Sequence, residues 1–317
     1  MTTLPLCDPH FHMWDLDARP NPNLGPEAGE LLRSYRAADY DADAATLPPR
    51  LNLVSRVHVE TVVGQMEGGP VVDTVSETEW VSAQVDPTQG ERPSYLVAYL
   101  NLAGDPAAAQ RTLERHVEAS SSRLRGVRMI LNHHPDNPDL TWPQVAGGEL
   151  MHTSRFREGL ELLSGRNLAF DLSCNPHQIP GAVRVLADFP GLRVVANHLG
   201  FLHDGEDDAH EELWRDGIEG LATLPNIDIK LSMLWFARAG FHSDPEKRAK
   251  VRDLVREVID VFGPERCMFA SNYPVDKLRG ISFAALYELF LDWTQDLAED
   301  ELRALFHDTA ARAYNLD

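Results

Sequence analysis

The chain has 317 residues, 43% of them hydrophobic, which is enough to bury a core the size of an α/β barrel. Its 49 Asp and Glu against 29 Lys and Arg leave a formal charge of −20, which argues against a broad nucleic-acid or anionic-membrane surface. No apolar run of membrane-spanning length and no basic-then-apolar leader is visible, so a cytoplasmic protein is expected, and three scattered cysteines (Cys7, Cys174, Cys267) exclude a disulfide framework or a cysteine-rich zinc site.

Leu4, Leu6 and Cys7 open a first strand that runs into Asp8-Pro9-His10-Phe11-His12. Side chains alternate along a strand, so His10 and His12 face the same way, as two imidazoles sharing a cation would. Asp15 to Pro49, rich in Pro, Asn, Gly and Asp, reads as an extended loop without a long regular element. Leu51 to Thr61 alternates and is rich in valine, which predicts a second strand ending near His58 and Glu60. A helix follows from about Asp73 to Gln84, and Pro93 to Leu102 reads as a third strand. Asp105 caps a helix with Pro106 in its first turn. Leu124 to Asn132, Asn167 to Cys174, Leu192 to His198 and Ile227 to Met233 read as strands four to seven. A helix from Asp244 to Phe262 precedes an eighth strand, Cys267 to Asn272, and two helices near Ser282 to Leu297 and Glu299 to Tyr314 end the chain. Strand followed by helix eight times predicts a single-domain (β/α)8 TIM barrel over residues 1–317, with extra terminal helices. A dinucleotide-binding sheet is disfavoured, because no Gly-x-Gly-x-x-Gly follows any strand.

Barrel strand ends converge on one face, which turns scattered residues into a site. The ends supply His10, His12, Glu60, Arg128, Asn132 with His133 and His134, His177, Asn197-His198, Lys230 with Ser232, and Asn272 with Asp276 beyond it. Arg128, amid apolar neighbours, needs an acidic partner, and a substrate carboxylate is one candidate. Lys230 reads as a lysine paired with a neighbouring carboxylate, His58 and Glu60 share a strand face, and His133-His134 reads as exposed loop. Trp14, Trp235 and Tyr273 are candidate pocket walls, and His203 and His210, inside the acidic Asp204 to Glu212 run, read as a solvated helix start.

His10-Phe11-His12, Arg125-Gly126-Val127-Arg128, Asn197-His198-Leu199-Gly200, Lys230-Leu231-Ser232 and the run Phe262 to Val275 together resemble the amidohydrolase superfamily, in the branch holding sugar-acid lactonases and 2-pyrone-4,6-dicarboxylate lactonase. The resemblance spans nearly the whole barrel. It implies a site at the C-terminal strand ends, one divalent cation (zinc in preference) held by His10, His12 and His198, and His177 as the counterpart of the fifth-strand histidine. The eighth strand departs from the pattern: Ser271-Asn272-Tyr273-Pro274 stands where the family carries an aspartate. An amide has no useful basicity near neutrality, so Asn272 orients water or donates a hydrogen bond but is no general base, and the cation itself comes into question. Asp276, steadied by Lys277, is the first replacement base, with Glu60 or a histidine behind it. The catalytic set is therefore Asp276, Asn272 and His198, with Arg128, Glu60, His177 and Tyr273 toward substrate. The expected activity is hydrolysis of a small ester-like or lactone substrate, with or without a carboxylate. A metal-dependent decarboxylase and a catalytically degenerate, ligand-binding barrel are the alternatives. The expected partner is a small molecule, not nucleic acid or membrane, with self-association left open.

Overall fold

A computed structural model describes residues 3–19, 33–61, 72–85, 93–205 and 208–316. Eight strands form one sheet in the order of the chain, every neighbouring pair parallel: β1 (Leu4–Phe11), β2 (Leu51–Val59), β3 (Ser94–Tyr99), β4 (Leu124–Ile130), β5 (Ala169–Ser173), β6 (Val194–Ala196), β7 (Ile227–Leu231) and β8 (Cys267–Phe269). The helices between and after them are α1 (Ala37–Ala44), α2 (Val75–Gln84), α3 (Pro106–Ala119), α4 (Ser154–Leu163), α5 (Ile179–Leu186), α6 (Asp208–Ala222), α7 (Leu234–Ala237), α8 (Pro245–Phe262), α9 (Val275–Leu278), α10 (Phe283–Trp293), α11 (Glu299–Arg303) and α12 (Thr309–Ala313), with a π-helical turn at Ala304–Asp308. This is the expected TIM barrel. None of the described helices is long and apolar enough to cross a membrane.

Local sequence accounts for the helix ends. Asp105 accepts from Ala108 N at 2.9 Å with Pro106 behind it, and Asp244 accepts from Glu246 N and Lys247 N, so each aspartate satisfies amides that lack a partner within the helix. Val251, Leu254, Val255, Val258, Ile259 and Phe262 repeat at helical spacing and bury one face of α8. Each such side chain stabilises the fold by about 1.5–3 kcal/mol. Gly159 is needed for close approach, since a Cβ there would collide with the Leu102 carbonyl oxygen and push α4 away from the connection after β3. One element departs from expectation: α1 lies inside the stretch expected to be extended, burying only Tyr40 and Ala44, too little apolar surface to register as a pattern. Residues 20–32 of that stretch lie outside the described residues.

The barrel interior is lined by Cys7, Val57, Val59, Val97, Ala169, Val195 and Met268, and Ala310, Ala313 and Tyr314 pack against them. Arg125, Arg193 and Asp228, at the N-terminal ends of three strands, bond to Asn315 O, Arg312 O and the Arg312 guanidinium. The C-terminal segment therefore crosses and stoppers the N-terminal end of the barrel, leaving the opposite end for chemistry. Between β8 and β1 the barrel is held by fewer bonds. Asp8 there accepts from Ser271 N at 2.9 Å, Ser271 Oγ at 2.6 Å and Tyr40 OH at 2.7 Å, while Asn272 N reaches His10 O at 2.8 Å and His12 N reaches Tyr273 O at 2.7 Å.

Candidate active site

The two histidines of β1 turn into the barrel mouth with their Nε2 atoms 3.2 Å apart. Proton positions follow from the far end of the chain they belong to. His12 Nδ1 lies 2.7 Å from the Val59 carbonyl oxygen, which only accepts, so that nitrogen carries the proton and Nε2 is a bare lone pair. His10 Nε2 must therefore donate to His12, and His10 Nδ1 must accept, from Lys230 Nζ at 3.1 Å. Lys230 also donates to Asp171 Oδ2 at 2.6 Å, and the other oxygen of Asp171 accepts from Tyr314 OH at 2.7 Å. The stopper at one end of the barrel is thus wired to the histidines at the other.

Lys230 is fully buried, and burial pulls its pKa down to about 8 despite the opposing pull of Asp171. Burial, reinforced by the charges of Arg128 and Lys230, takes His12 down to about 3 and holds His10 and His198 well below the usual imidazole range. His198 packs on His10 with ring centroids 4.5 Å apart and is oriented by Ser232 Oγ, 3.0 Å from its Nδ1. Its left-handed backbone, φ 55°, swings the chain off β6 so that the ring points across the mouth. The result is a floor of neutral imidazoles with two cations behind it, Lys230 and Arg128, each paired with a buried carboxylate, and the nearby cations favour negative charge developing on a carbonyl oxygen.

Asn272 and Asp276 are brought together, as expected of a residue reaching back from just beyond β8. Asn272 Nδ2 donates to Asp276 Oδ2 at 2.6 Å, and the asparagine side chain also favours protonation of His12. Asp276 is wholly buried; burial raises its pKa to about 7, against the opposing pull of Asn272 and of the Trp235 indole, and neither its Oδ1 nor the Trp235 indole nitrogen makes a hydrogen bond of normal length. Lys277 does not steady it: that ammonium pairs with Asp43 at 2.8 Å, on the outer surface.

Other expectations are revised by the geometry. Arg128 Nε meets Glu60 Oε1 at 2.6 Å and its NH2 meets Glu60 O at 2.6 Å, both side chains buried, so the arginine finds its acidic partner within the chain and the two read as one structural ion pair. Tyr273 is turned away from the mouth, its hydroxyl donating to Ile281 O at 2.6 Å and its ring against Phe283 in the outer layer. Trp14 packs on Tyr35 and donates to Arg33 O. His177 sits past β5 in a 3-10 turn and packs on His134, so it does not join the ring contacts of His10, His12 and His198. Sequence reasoning missed the part played by Asp171, Tyr314 and Asp8, and it placed Ser232 at the mouth without pairing it to His198. Only Lys230, expected to pair with a carboxylate, pointed toward Asp171.

A cation held by His10, His12 and His198 requires a lone pair from each. His12 meets that requirement, because its other nitrogen donates to a carbonyl as ligating histidines do. His10 does not: freeing its Nε2 lone pair would set an Nδ1–H against the Lys230 donor. Among the described residues no group of three His, Cys, Asp or Glu side chains is arranged to hold a metal ion. The residues as disposed do not fit a resident metal.

The chain matches the Amidohydrolase family over residues 7–316. It belongs to that family. The protein y4mH of Sinorhizobium fredii is 31% identical over 326 residues, covering 100% of both chains. An L-fucono-1,5-lactonase of Burkholderia ambifaria is 24% identical over 98% of this chain and 95% of its own. Among solved structures, an amidohydrolase from Burkholderia multivorans with bound zinc shares the fold at TM-score 0.78 and 24% identity, over 98% of this chain and 99% of that one. The amidohydrolase is a hydrolase by family, as its sequence implied.

Proposed function

We propose that this amidohydrolase opens a small lactone, with Asp276 as general base. The observation that carries the reading is the Asp276 carboxylate: one oxygen is held by Asn272, the other makes no hydrogen bond of normal length although the carboxyl also feels the Trp235 indole, and its pKa near 7 lets it accept a proton at neutral pH. Asp276 takes a proton from water as the oxygen adds to the lactone carbonyl carbon. Negative charge builds on the carbonyl oxygen over the His10 and His198 rings, in the field of Lys230 and Arg128. The ring C–O bond then breaks, and the departing alkoxide takes the proton back from Asp276, leaving a hydroxy acid. A carboxylate on the substrate is not part of the proposal, because Glu60 already occupies Arg128. The lactonase relatives support the reaction class. A family metal, when bound, would polarise the same carbonyl, but no step here depends on one.

The test is a panel of 1,5- and 1,4-lactones followed by acid release with a pH indicator, run beside small aromatic carboxylates followed by carbon dioxide release. Acid release from a 1,5-lactone at kcat/KM of about 10⁴ M⁻¹ s⁻¹ or more is expected. Carbon dioxide release without acid release would replace the reading with the decarboxylase, and activity in neither assay would leave a binding barrel.

A further inference from the structure

The loops following β4, β5 and β6 gather a second set of histidines that the proposed chemistry does not use. His134 and His177 meet edge to face with ring centroids 4.7 Å apart, and His203 stacks on His210 at 5.6 Å. The pairs are within electrostatic reach of one another, since His134 and His177 both act on His203. A wall of aromatic rings joins them to the floor of the site: Phe201 packs on His198 at 5.2 Å and on Phe236 at 6.1 Å, and Phe236 meets His203 at 4.5 Å.

His203 is 5% exposed, yet neither of its ring nitrogens has a hydrogen-bond partner. Buried imidazoles ordinarily have both satisfied. Asn132, fully buried at the end of β4, repeats the pattern. Its Nδ2 donates to Asn175 Oδ1 at 2.9 Å, and because Asn175 Nδ2 is committed to the Leu140 and His133 carbonyls, the Asn132 amide cannot be reversed and its Oδ1 is left without a donor.

The remaining proton positions determine what would answer these groups. His134 Nδ1 accepts from Asp136 N at 3.2 Å and Asn137 N at 3.0 Å, so its proton is on Nε2, offered as a donor. His177 packs edge to face on His134 and lies beside the His133 backbone, so its ring completes the wall of this cluster. A metal ion is the wrong complement, because His134 has no free lone pair. An anion is also wrong. Burial and the neighbouring imidazoles keep His203 neutral with a pKa of about 4, the Asn132 oxygen and one nitrogen of that neutral ring offer lone pairs that a carboxylate cannot meet, and Glu149 adds negative charge on the His177 side. A group that donates and accepts at once fits all of them, and that group is a hydroxyl.

We infer that His134, His177, His203 and the Asn132 side-chain oxygen form a hydroxyl-binding subsite that holds the non-reacting, polyhydroxylated end of the substrate beside the floor where the lactone reacts. The assignment rests on the lactone reading for its reaction, but not for its binding.

Two readouts separate the claims. The first is the preference ratio, kcat/KM for D-galactono-1,5-lactone over that for δ-valerolactone, which lacks the hydroxyls. A ratio of about 100 or more is expected in the native chain, falling at least tenfold in His203→Phe and carried mainly by KM. His134→Gln, which keeps a side-chain donor, should retain more of the ratio than His134→Leu. The second is calorimetric binding of galactitol, which cannot react: saturable binding in the native chain and its loss in His203→Phe, with the circular dichroism spectrum and Tm unchanged, are expected. A ratio near 1 in an active enzyme overturns the subsite and leaves the lactonase standing. Galactitol binding without turnover of either lactone keeps the subsite and overturns the reaction. If His203→Phe unfolds, the His134→Leu and His134→Gln pair decides, and equal ratios in both overturn the subsite.

Discussion

The floor and the rim of the barrel mouth are both built from histidines, yet they stand in opposite conditions. On the floor the pair contributed by β1 is fully committed, from Lys230 through His10 and His12 to Val59 O, and Asp171 and Tyr314 anchor the start of that line beneath the barrel. On the rim His203 is buried with both nitrogens unanswered. A committed imidazole has a fixed tautomer before substrate arrives, which suits it to stabilising charge. An uncommitted one waits for a partner, which suits it to recognition. The contrast separates rate from selectivity and states which substitutions should move which.

The largest effect should come from Asp276, whose Oδ1 makes no hydrogen bond. Asp276→Asn should lower kcat about a thousandfold while leaving KM within a few-fold. In the native enzyme kcat/KM should rise with pH through about 7, because burial raises the Asp276 pKa and only the ionised form accepts a proton. That rise should vanish in the variant's residual activity. A pH-rate profile with its limb unchanged in Asp276→Asn would move the base elsewhere on the floor.

Next comes the line itself. Lys230→Met should cost about a hundredfold in kcat and also lower Tm, since Asp171 is left charged and buried, a loss of about 3–5 kcal/mol. Adding Asp171→Leu removes the stranded charge. The double variant should regain much of the stability and none of the rate, which separates the ordering of His10 from the holding together of the barrel. Recovery of rate along with stability would reduce Lys230 to a structural pair.

Asn272→Asp tests whether the missing aspartate is a defect. With Asn272 and Asp276 at hydrogen-bonding distance, a second carboxylate must share a proton with the first, and the apparent pKa of the pair rises above 7. Activity at pH 7 should drop about tenfold and the acid limb should move upward by about one pH unit. A large gain instead would mark the native chain as a degraded hydrolase.

How much of this was legible in the sequence follows from how far each signal travels. His10, His12 and His198 sit at strand ends, and strand periodicity with barrel closure is enough to make them neighbours. Asp276 reaches Asn272 across a single turn of chain, so spacing alone suggested it. Tyr314 meets Asp171 only because the C-terminal segment folds under the barrel, which no local pattern encodes. His203 read as solvated because its neighbours in the chain are acidic, whereas Asp204 and Asp208 are exposed and the imidazole is tucked against Phe236. Tyr273 was misplaced for the opposite reason. It lies one residue past Asn272, and the left-handed turn there, φ 52°, together with the Ile281 carbonyl, sends its ring into the outer layer. Arg128 announced its need for an acid correctly, but the nearer supplier was Glu60.

The smallest expected effect is the one on which floor and family tradition differ. If His10 is held as a donor toward His12 by Lys230, prolonged chelation should change kcat by less than about twofold, and zinc supplementation should leave less than about one tenth of an equivalent bound. Lys230→Met removes the opposing donor and frees His10 to turn its lone pair outward, so the same supplementation of that variant should raise occupancy even as turnover falls. Stoichiometric zinc in the native chain, lost together with activity on chelation, would show that the line reverses its protons to admit the ion.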